Sequence, residues 1–347
     1  MKHYLITLNG YGELLRKNFN SKSLFDYARK DNFNTIARRG EKGYIYLGKT
    51  LEKSYYSLFD EEKNFPGEAF VRFSALKIPH EKQTFFLARF LMQVDGRVIE
   101  TDVNLSDKET AGLLDVFSAP GKEIEFYATD REPIAGFRKE FPLEPVVFPD
   151  DLKGKRFAEY LYGNNELADI NSLIDSSVKI LSENPINRVR EDLGEISANL
   201  LWLWGPGRDM KTPPFSGRVN RKTFYLVYEG KVLPLAELLG FEKISDIKAG
   251  ADGSLMWINT SLKAEDGAAA WLRKFESFDR DILGKVSEEY IKGECRVLLI
   301  FDGFMSRDAG TRNSWGVVIA AAERPLFGFR LRRYFRHGRI VLGKFLG

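Results

Sequence analysis

Three arginines, Arg188, Arg190 and Arg208, lie close to a Gly-Pro-Gly turn at 205–207 and form the most chemically suggestive group in the sequence. A guanidinium group can pair with a phosphate or a carboxylate through two parallel hydrogen bonds. The glycines of the turn would let the backbone approach such a ligand. One interpretation is therefore an anion-binding segment. The preferred interpretation is a structural hinge in which Trp202 and Trp204 are packed.

One cysteine and three histidines are present in the whole chain, which limits metal and thiol chemistry. A single cysteine excludes an internal disulfide and a cysteine-based metal cluster. Cys295 opens an apolar run, so we expect it to be buried and structural. His3, His80 and His337 are scattered along the sequence, and we expect a solvated structural role for each.

The segment 330–339 is basic and interleaved with aromatic residues, a pattern that can contact nucleic acid or an acidic partner. A solvated strand and helix is the preferred interpretation, because the formal net charge of the chain is only +3. No stretch reaches the ~20 apolar residues of a membrane-spanning helix. The first apolar run is also too short for a signal peptide. We therefore predict a cytoplasmic protein with no membrane partner, and we disfavour nucleic acid as a ligand.

The order of the predicted elements indicates an α/β protein with a smaller inserted domain. A strand at 4–8, a helix from Ser23 to Gly40 and a strand at 44–47 are typical of a parallel sheet covered by helices. The pattern then changes to strands at 69–78, 84–94, 97–103, 123–128 and 134–137, with a hairpin turn at 95–96 and a capping box at 106–109. Helices and strands alternate again from 166, with strands at 200–204, 224–228, 255–258, 297–301 and 317–321. We predict a core of 1–64 and 151–347, and an inserted α+β domain of 65–150.

Several segments, taken in order, resemble one family. They are the run Ala198-Asn-Leu-Leu-Trp-Leu-Trp-Gly-Pro-Gly-Arg208, the segment 184–190 before it, Pro214-Phe215, and the segments 23–40, 65–73, 98–103 and 234–242. Together they resemble the archaeal-type cofactor-independent phosphoglycerate mutases of the alkaline phosphatase superfamily, including a bacterial branch with proposed homoserine kinases. The resemblance covers nearly the whole chain. It implies an alkaline-phosphatase-like parallel-sheet core flanked by helices, two divalent metal ions (Mn, Mg or Zn), and a serine that accepts the phosphoryl group.

Where the resemblance places metal ligands and the nucleophile, this sequence has other residues. Asn9 follows the first strand where the family has an aspartate, and Lys49 stands where the family has the serine of Gly-Ser-Asp. Asp302 is retained, but Gly303 replaces the histidine beside it. The loop after Ser261 is shortened, and the segment 310–314 has no histidine. Since a neutral amide is a poor anchor for a divalent ion, we predict that Asn9, Lys49 and Asp302 are vestigial positions, that the metal ligands are lost, and that no cofactor is used.

These departures predict a phosphoglycerate-mutase-like protein that is catalytically inactive and keeps a phosphate-binding or assembly role. Its partner would be a phosphorylated small molecule, another protein or a second copy of the chain. The alternative is a diverged enzyme, a mutase-like isomerase or phosphotransferase, that acts on a phosphorylated small molecule. Thr50 as a displaced nucleophile is disfavoured. The candidate phosphate-binding residues are Lys49, Arg188, Arg190 and Arg208.

Overall fold

The computed structural model describes residues 1–9, 17–19, 22–48, 51–81, 83–118, 124–129, 132–144, 147–230, 233–261, 267–305, 314–322, 334–335, 342 and 345–346. The chain divides into two compact units. The first unit contains Met1–Phe65 and Thr212–Gly347, and the second contains Pro66–Lys211. No helix in the described part of the chain is both long enough and apolar enough to cross a membrane.

The described strands are numbered in chain order. They are β1 (Lys2–Asn9), β2 (Lys17–Phe19), β3 (Lys22–Ser23), β4 (Glu41–Gly48), β5 (Thr84–Val94), β6 (Arg97–Glu100), β7 (Ile124–Tyr127), β8 (Ile134–Phe137), β9 (Leu200–Gly207), β10 (Thr223–Glu229), β11 (Glu242–Lys243), β12 (Leu255–Ser261), β13 (Cys295–Met305), β14 (Ser314–Ala321) and β15 (Tyr334–Phe335).

The described α-helices are numbered in the same way. They are α1 (Leu24–Tyr27), α2 (Asp31–Arg39), α3 (Leu51–Phe59), α4 (Glu68–Ser74), α5 (Asp107–Asp115), α6 (Ala168–Ser182), α7 (Pro185–Asp192), α8 (Phe215–Val219), α9 (Pro234–Leu238), α10 (Gly267–Phe278) and α11 (Gly284–Ile291). A π-helical turn, Asp279–Leu283, joins α10 to α11.

The first unit is built on a sheet whose described strands follow the order β11-β10-β12-β1-β13-β14-β4-β15. Neighbours are parallel from β11 to β13, whereas β14 is antiparallel to both β13 and β4. The predicted α/β core with a parallel sheet is therefore confirmed, with one reversed strand. Residues 3–9 of β1 are all buried, as expected for a strand whose two faces are both covered.

The side chains of β1 alternate between the two faces of this sheet. Tyr4, Ile6 and Leu8 belong to the large apolar cluster that also contains side chains of α1, α2, α10 and α11. Thr7 and Asn9 point to the opposite face, because successive side chains of a strand alternate. On this second face His3 lies near the amino end of the strand, and Thr7 and Asn9 lie toward its carboxyl end.

The second unit is a mixed α+β body around five described strands. Its sheet has the order β6-β5-β8-β7, and β9, outside this linear order, also pairs with β5 in antiparallel register. The side chains of β9 are buried, and α6 packs on it, with Ser177 Oγ accepting a hydrogen bond of 2.9 Å from the amide of Leu201. Residues 151–211 therefore belong to the second unit, so the predicted return to the core at 151 differs from the observed division at Thr212.

Two local predictions were wrong and two were confirmed. The segment 69–78 was predicted as a strand but begins as helix α4, whose Phe70 and Phe73 are buried; tertiary packing here overrides the β propensity of its aromatic residues. The predicted helix 23–40 is interrupted at Ala28, where the backbone is extended. The capping box is present between Ser106 and Glu109, and the hairpin turn at 95–96 has positive φ at both positions.

Candidate functional site at the carboxyl edge of the sheet

The carboxyl ends of β12, β1 and β13 meet at one edge of the first unit's sheet. The β1–β12 register sets Asn9 opposite Ser261. The β1–β13 register sets Leu8 opposite Phe301, the residue before Asp302. The sheet therefore brings the backbones of two predicted site positions, Asn9 and Asp302, to the same level. The other predicted features of this edge lie outside the described residues: the side chain of Asp302, Lys49 and Thr50.

A chain of hydrogen bonds runs through the buried side chains at this edge. Trp257 Nε1 donates to Thr7 Oγ1 at 3.0 Å, and the Thr7 hydroxyl donates to Asn259 Oδ1 at 2.8 Å. Asn9 Nδ2 donates to the same Asn259 oxygen at 2.8 Å. The hydroxyl of Tyr55, on α3, donates to Asn9 Oδ1. All five side chains are buried, and we call them the Asn9 network.

The Asn9 network is electrically neutral, since two amides, two hydroxyls and one indole carry no charge. Each of these hydrogen bonds pairs a donor with an acceptor, which offsets the desolvation of buried polar groups. Asn9 uses both ends of its amide, one toward Asn259 and one toward Tyr55. Elsewhere in the described ranges, as here, no group of three or more His, Cys, Asp or Glu side chains is arranged to hold a metal ion.

Aromatic packing places Tyr55 over the end of β1. Its ring lies 5.7 Å from Trp257 in an edge-on arrangement, and Phe59, one turn further along α3, lies 5.0 Å from the same indole. Tyr225 contacts the indole from β10 at 5.4 Å. Thr7, Tyr55, Trp257 and Asn259 are not among the site residues predicted from the sequence. The alternation of Thr7 with Asn9 in an apolar strand was the available signal for a polar cluster on one face.

The three candidate phosphate-binding arginines belong to the second unit, whereas Asn9 and Asp302 belong to the first. Arg188 is exposed on α7. Arg208 is about one-third exposed and forms an ion pair with Glu140. The structure therefore does not gather these arginines and the Asn9 network within one unit. Phosphate binding by Arg188 and Arg208 stays a prediction.

Arg190 has a different environment from the other two arginines. Its side chain is buried, and its guanidinium donates to Glu109 Oε1 at 2.6 Å, to the carbonyl of Ile196 at 2.9 Å and to the carbonyl of Asn104 at 3.0 Å. Hydrogen bonds from Ser106, with Arg190 as a further cause, lower the pKa of Glu109 to about 2. These contacts favour a structural role that ties α7 to α5, and phosphate binding by Arg190 stays untested.

The thiol and the histidines have no place in the Asn9 network. Cys295 is buried, as predicted, and burial raises the pKa of its thiol to about 12. His80 is exposed, whereas the prediction of a solvated His3 was wrong because only 2% of its surface is exposed. His337 lies outside the described residues. Trp202 and Trp204 are both buried, as the hinge interpretation of their segment predicted.

Comparison with known proteins points to one group of relatives, although no protein-family profile matches the chain. The 2,3-bisphosphoglycerate-independent phosphoglycerate mutase 2 of Methanothermobacter thermautotrophicus is 23% identical over 343 residues, which cover 87% of this chain and 84% of the relative. The 2,3-bisphosphoglycerate-independent phosphoglycerate mutase of Methanosarcina barkeri is 32% identical over 126 residues, covering 35% of this chain and 29% of the relative.

Solved structures share the fold over almost the full length. A Pyrococcus horikoshii protein aligns with a TM-score of 0.62 and 16% identity, covering 99% of this chain and 97% of that one. The cofactor-independent phosphoglycerate mutase of Thermoplasma acidophilum aligns with a TM-score of 0.53 and 15% identity, covering 98% and 97%. The chain is therefore a homologue of the archaeal cofactor-independent phosphoglycerate mutases and shares their fold.

Proposed function

We propose that this protein is a phosphoglycerate-mutase-like module that has lost the family's metal-dependent chemistry and binds a phosphorylated ligand or assembles with a partner. The observation that carries the proposal is the Asn9 network. At the end of β1, where the resemblance implies a metal-binding aspartate, a buried neutral amide is hydrogen-bonded at both ends.

The described residues at this edge do not fit a divalent metal ion. Such ions are held by hard oxygen ligands, mainly carboxylates, whose negative charge offsets the charge of the metal. Asn9 offers one neutral oxygen, and that oxygen already accepts the hydroxyl proton of Tyr55. A metal that approached Asn9 would have to break this bond and gain no charge in return. Lys49, at the sequence position of the nucleophile, would add a further positive charge.

The ligand-binding part of the proposal rests on residues that keep a cationic group accessible. Arg188 is exposed, and Arg208 is partly exposed with one carboxylate partner. An arginine fork in such a position can bind phosphate electrostatically without any metal ion. Lys49 remains a third candidate on the basis of the sequence. The Arg190 guanidinium already donates to Glu109 and to two carbonyls of the second unit.

Metal analysis combined with an activity assay tests the proposal. The purified chain is incubated with Mn²⁺, desalted and analysed by mass spectrometry for bound metals, and phosphoglycerate mutase activity is assayed with Mn²⁺ present. An active archaeal mutase taken through the same buffers is the positive control. We expect far less than one bound metal ion per chain and no mutase activity. Two tightly bound ions with activity would overturn the proposal.

The same preparation distinguishes the alternative, a diverged enzyme, from the binding module. A diverged enzyme would turn over a phosphorylated small molecule without bound metal, so phosphate release and phosphoryl transfer are monitored with a panel of phosphorylated metabolites. Turnover that disappears in Lys49→Ala, and persists in the exposed control Arg38→Gln, would favour the diverged enzyme. Saturable binding of panel members without turnover supports the binding module.

A further inference from the structure

The opposite, amino edge of the same sheet holds a group of cationic and imidazole side chains. His3, near the start of β1, pairs in register with Arg296 on β13. Arg221 stands just before β10, and its Nη1 lies 3.2 Å from His3 Nδ1. Since Asn9 is six residues further along the strand, this edge lies roughly 20 Å from the Asn9 network at ~3.3 Å per residue. The two sites are separate.

Two of the positive charges at this edge, those of Arg221 and Arg296, form no ion pair within the described part of the chain. Neither Arg221 nor Arg296 has a carboxylate within ion-pair distance among those residues, whereas the nearby N-terminal ammonium pairs with Asp252. Burial, together with Arg221 and Arg296, lowers the pKa of His3 to about 4. His3 is therefore neutral near pH 7.

The neutral imidazole leaves one donor without a partner. Because an arginine nitrogen can only donate, His3 Nδ1 accepts from Arg221, and the proton of the neutral ring is on Nε2. His3 Nε2 is buried and has no hydrogen-bond partner among the described residues. An unsatisfied buried donor of this kind is uncommon and destabilising. It therefore requires an explanation.

Described residues near the C-terminus cover this group. Arg221 Nη2 donates to the carbonyl of Leu346 and Arg296 Nη1 to the carbonyl of Phe345, both at 3.1 Å. The Phe345 ring stands edge-on to the His3 ring with centroids 5.4 Å apart. Leu342 and Phe345 are buried. We call Leu342, Phe345 and Leu346 the C-terminal cover.

We infer that His3, Arg221 and Arg296 form a binding site for a small oxyanion, a carboxylate or a phosphate, and that the C-terminal cover occupies this site in the structure. Two carbonyl oxygens of the cover accept from the two guanidinium groups, in the way that two oxygens of a carboxylate or phosphate would. A charged acceptor forms stronger bonds to guanidinium than a neutral carbonyl does. An oxyanion can therefore compete with the cover for the two guanidinium groups.

Titration with inorganic phosphate, followed by two measurements, tests the inference. The imidazole signals of His3 are recorded by NMR and assigned with His3→Asn, and amide hydrogen exchange is measured for the cover. A parallel titration uses acetate, and sodium chloride at equal ionic strength is the salt control. We expect a saturable shift of the His3 signals and faster exchange at 345–346. Saturation by both anions indicates a general oxyanion site, whereas saturation by phosphate alone identifies phosphate as the ligand.

Substitutions at this site distinguish specific phosphate binding from a general effect of ionic strength. Arg221→Gln and Arg296→Gln should each weaken phosphate binding at least about tenfold, the change expected for loss of one charge-assisted bond, and the exposed Arg38→Gln should leave it unchanged. Phe345→Ala loosens the cover and keeps all three donors, so phosphate should bind several-fold more tightly. The inference is overturned if chloride reproduces the phosphate effect, or if Phe345→Ala leaves phosphate affinity unchanged or lowers it.

Discussion

Asn9 and Asn259 share one hydrogen bond across β1 and β12, in which the amide nitrogen of the first donates to the amide oxygen of the second at 2.8 Å. The same oxygen accepts from the Thr7 hydroxyl. Asn259 Oδ1 therefore depends on two donors from β1. Replacing the donor at position 9 by a carboxylate would set two acceptors against each other inside the protein.

Asn9→Asp should lower the free energy of unfolding by about 1–3 kcal/mol, the cost of an unsatisfied buried polar group. If the family's metal site were intact, Mn²⁺ would bind the new carboxylate and restore stability; the neutral network predicts no recovery. Urea unfolding with and without Mn²⁺ measures both effects. Asn34→Asp, on α2 of the same unit, is the matched control and should change stability little. Recovery of Asn9→Asp by Mn²⁺ would contradict the neutral-network interpretation.

Tyr55→Phe should destabilise the chain by about 1 kcal/mol, because Asn9 Oδ1 loses its hydroxyl donor while the aromatic packing on Trp257 is kept. The comparison is Tyr27→Phe, where the ring is 55% exposed and a smaller loss of stability is expected. Thermal unfolding of both variants and the parent at pH 7 measures the loss of stability in each variant. Equal stability of the two variants would show that the Tyr55 hydroxyl does not support the network.

His3 makes stability depend on pH in the acidic range. Its pKa falls from 6.5 to about 4 in the folded chain, so the unfolded chain binds the proton more tightly. The stability that depends on neutral His3 is fully present above pH 6.5. As the pH falls toward 4, the free energy of unfolding decreases by at most about 3 kcal/mol. His3→Asn keeps an acceptor for Arg221 and should remove this part of the pH dependence. The exposed His80→Gln should keep it, and denaturant unfolding between pH 4 and 7.5 compares the three proteins.

Arg190→Ala should destabilise the second unit by about 3 kcal/mol, because it removes a buried guanidinium that donates to Glu109 Oε1 and to two backbone carbonyls. Arg188→Ala, on the exposed side of the same helix, should stay within about 0.5 kcal/mol of the parent. Calorimetric titration with phosphate adds the functional comparison. If Arg190→Ala folds with parental stability and loses phosphate binding, Arg190 is a ligand-binding residue after all.

Sequence reasoning reached the fold because the apolar periodicity of the strands and one family resemblance agree. It also identified Asn9, whose position depends only on the end of the first strand. Tyr55 and Asn259 could not be predicted, since their contact with Asn9 depends on the strand order and on the way α3 packs over Trp257. His3 was misjudged for a similar reason: a residue near the N-terminus becomes buried when residues from the far end of the chain pack on it.

The placement of β1 between β12 and β13 determines when the first unit can be completed during synthesis. Strand β1 is made well before both of its neighbours in the sheet, which begin at Leu255 or later. The second unit, Pro66–Lys211, is one uninterrupted stretch and has all of its strands long before then. The nascent chain therefore carries an apolar strand without its two sheet neighbours until β12 and β13 have been made, and an unpaired strand of this kind is prone to aggregation.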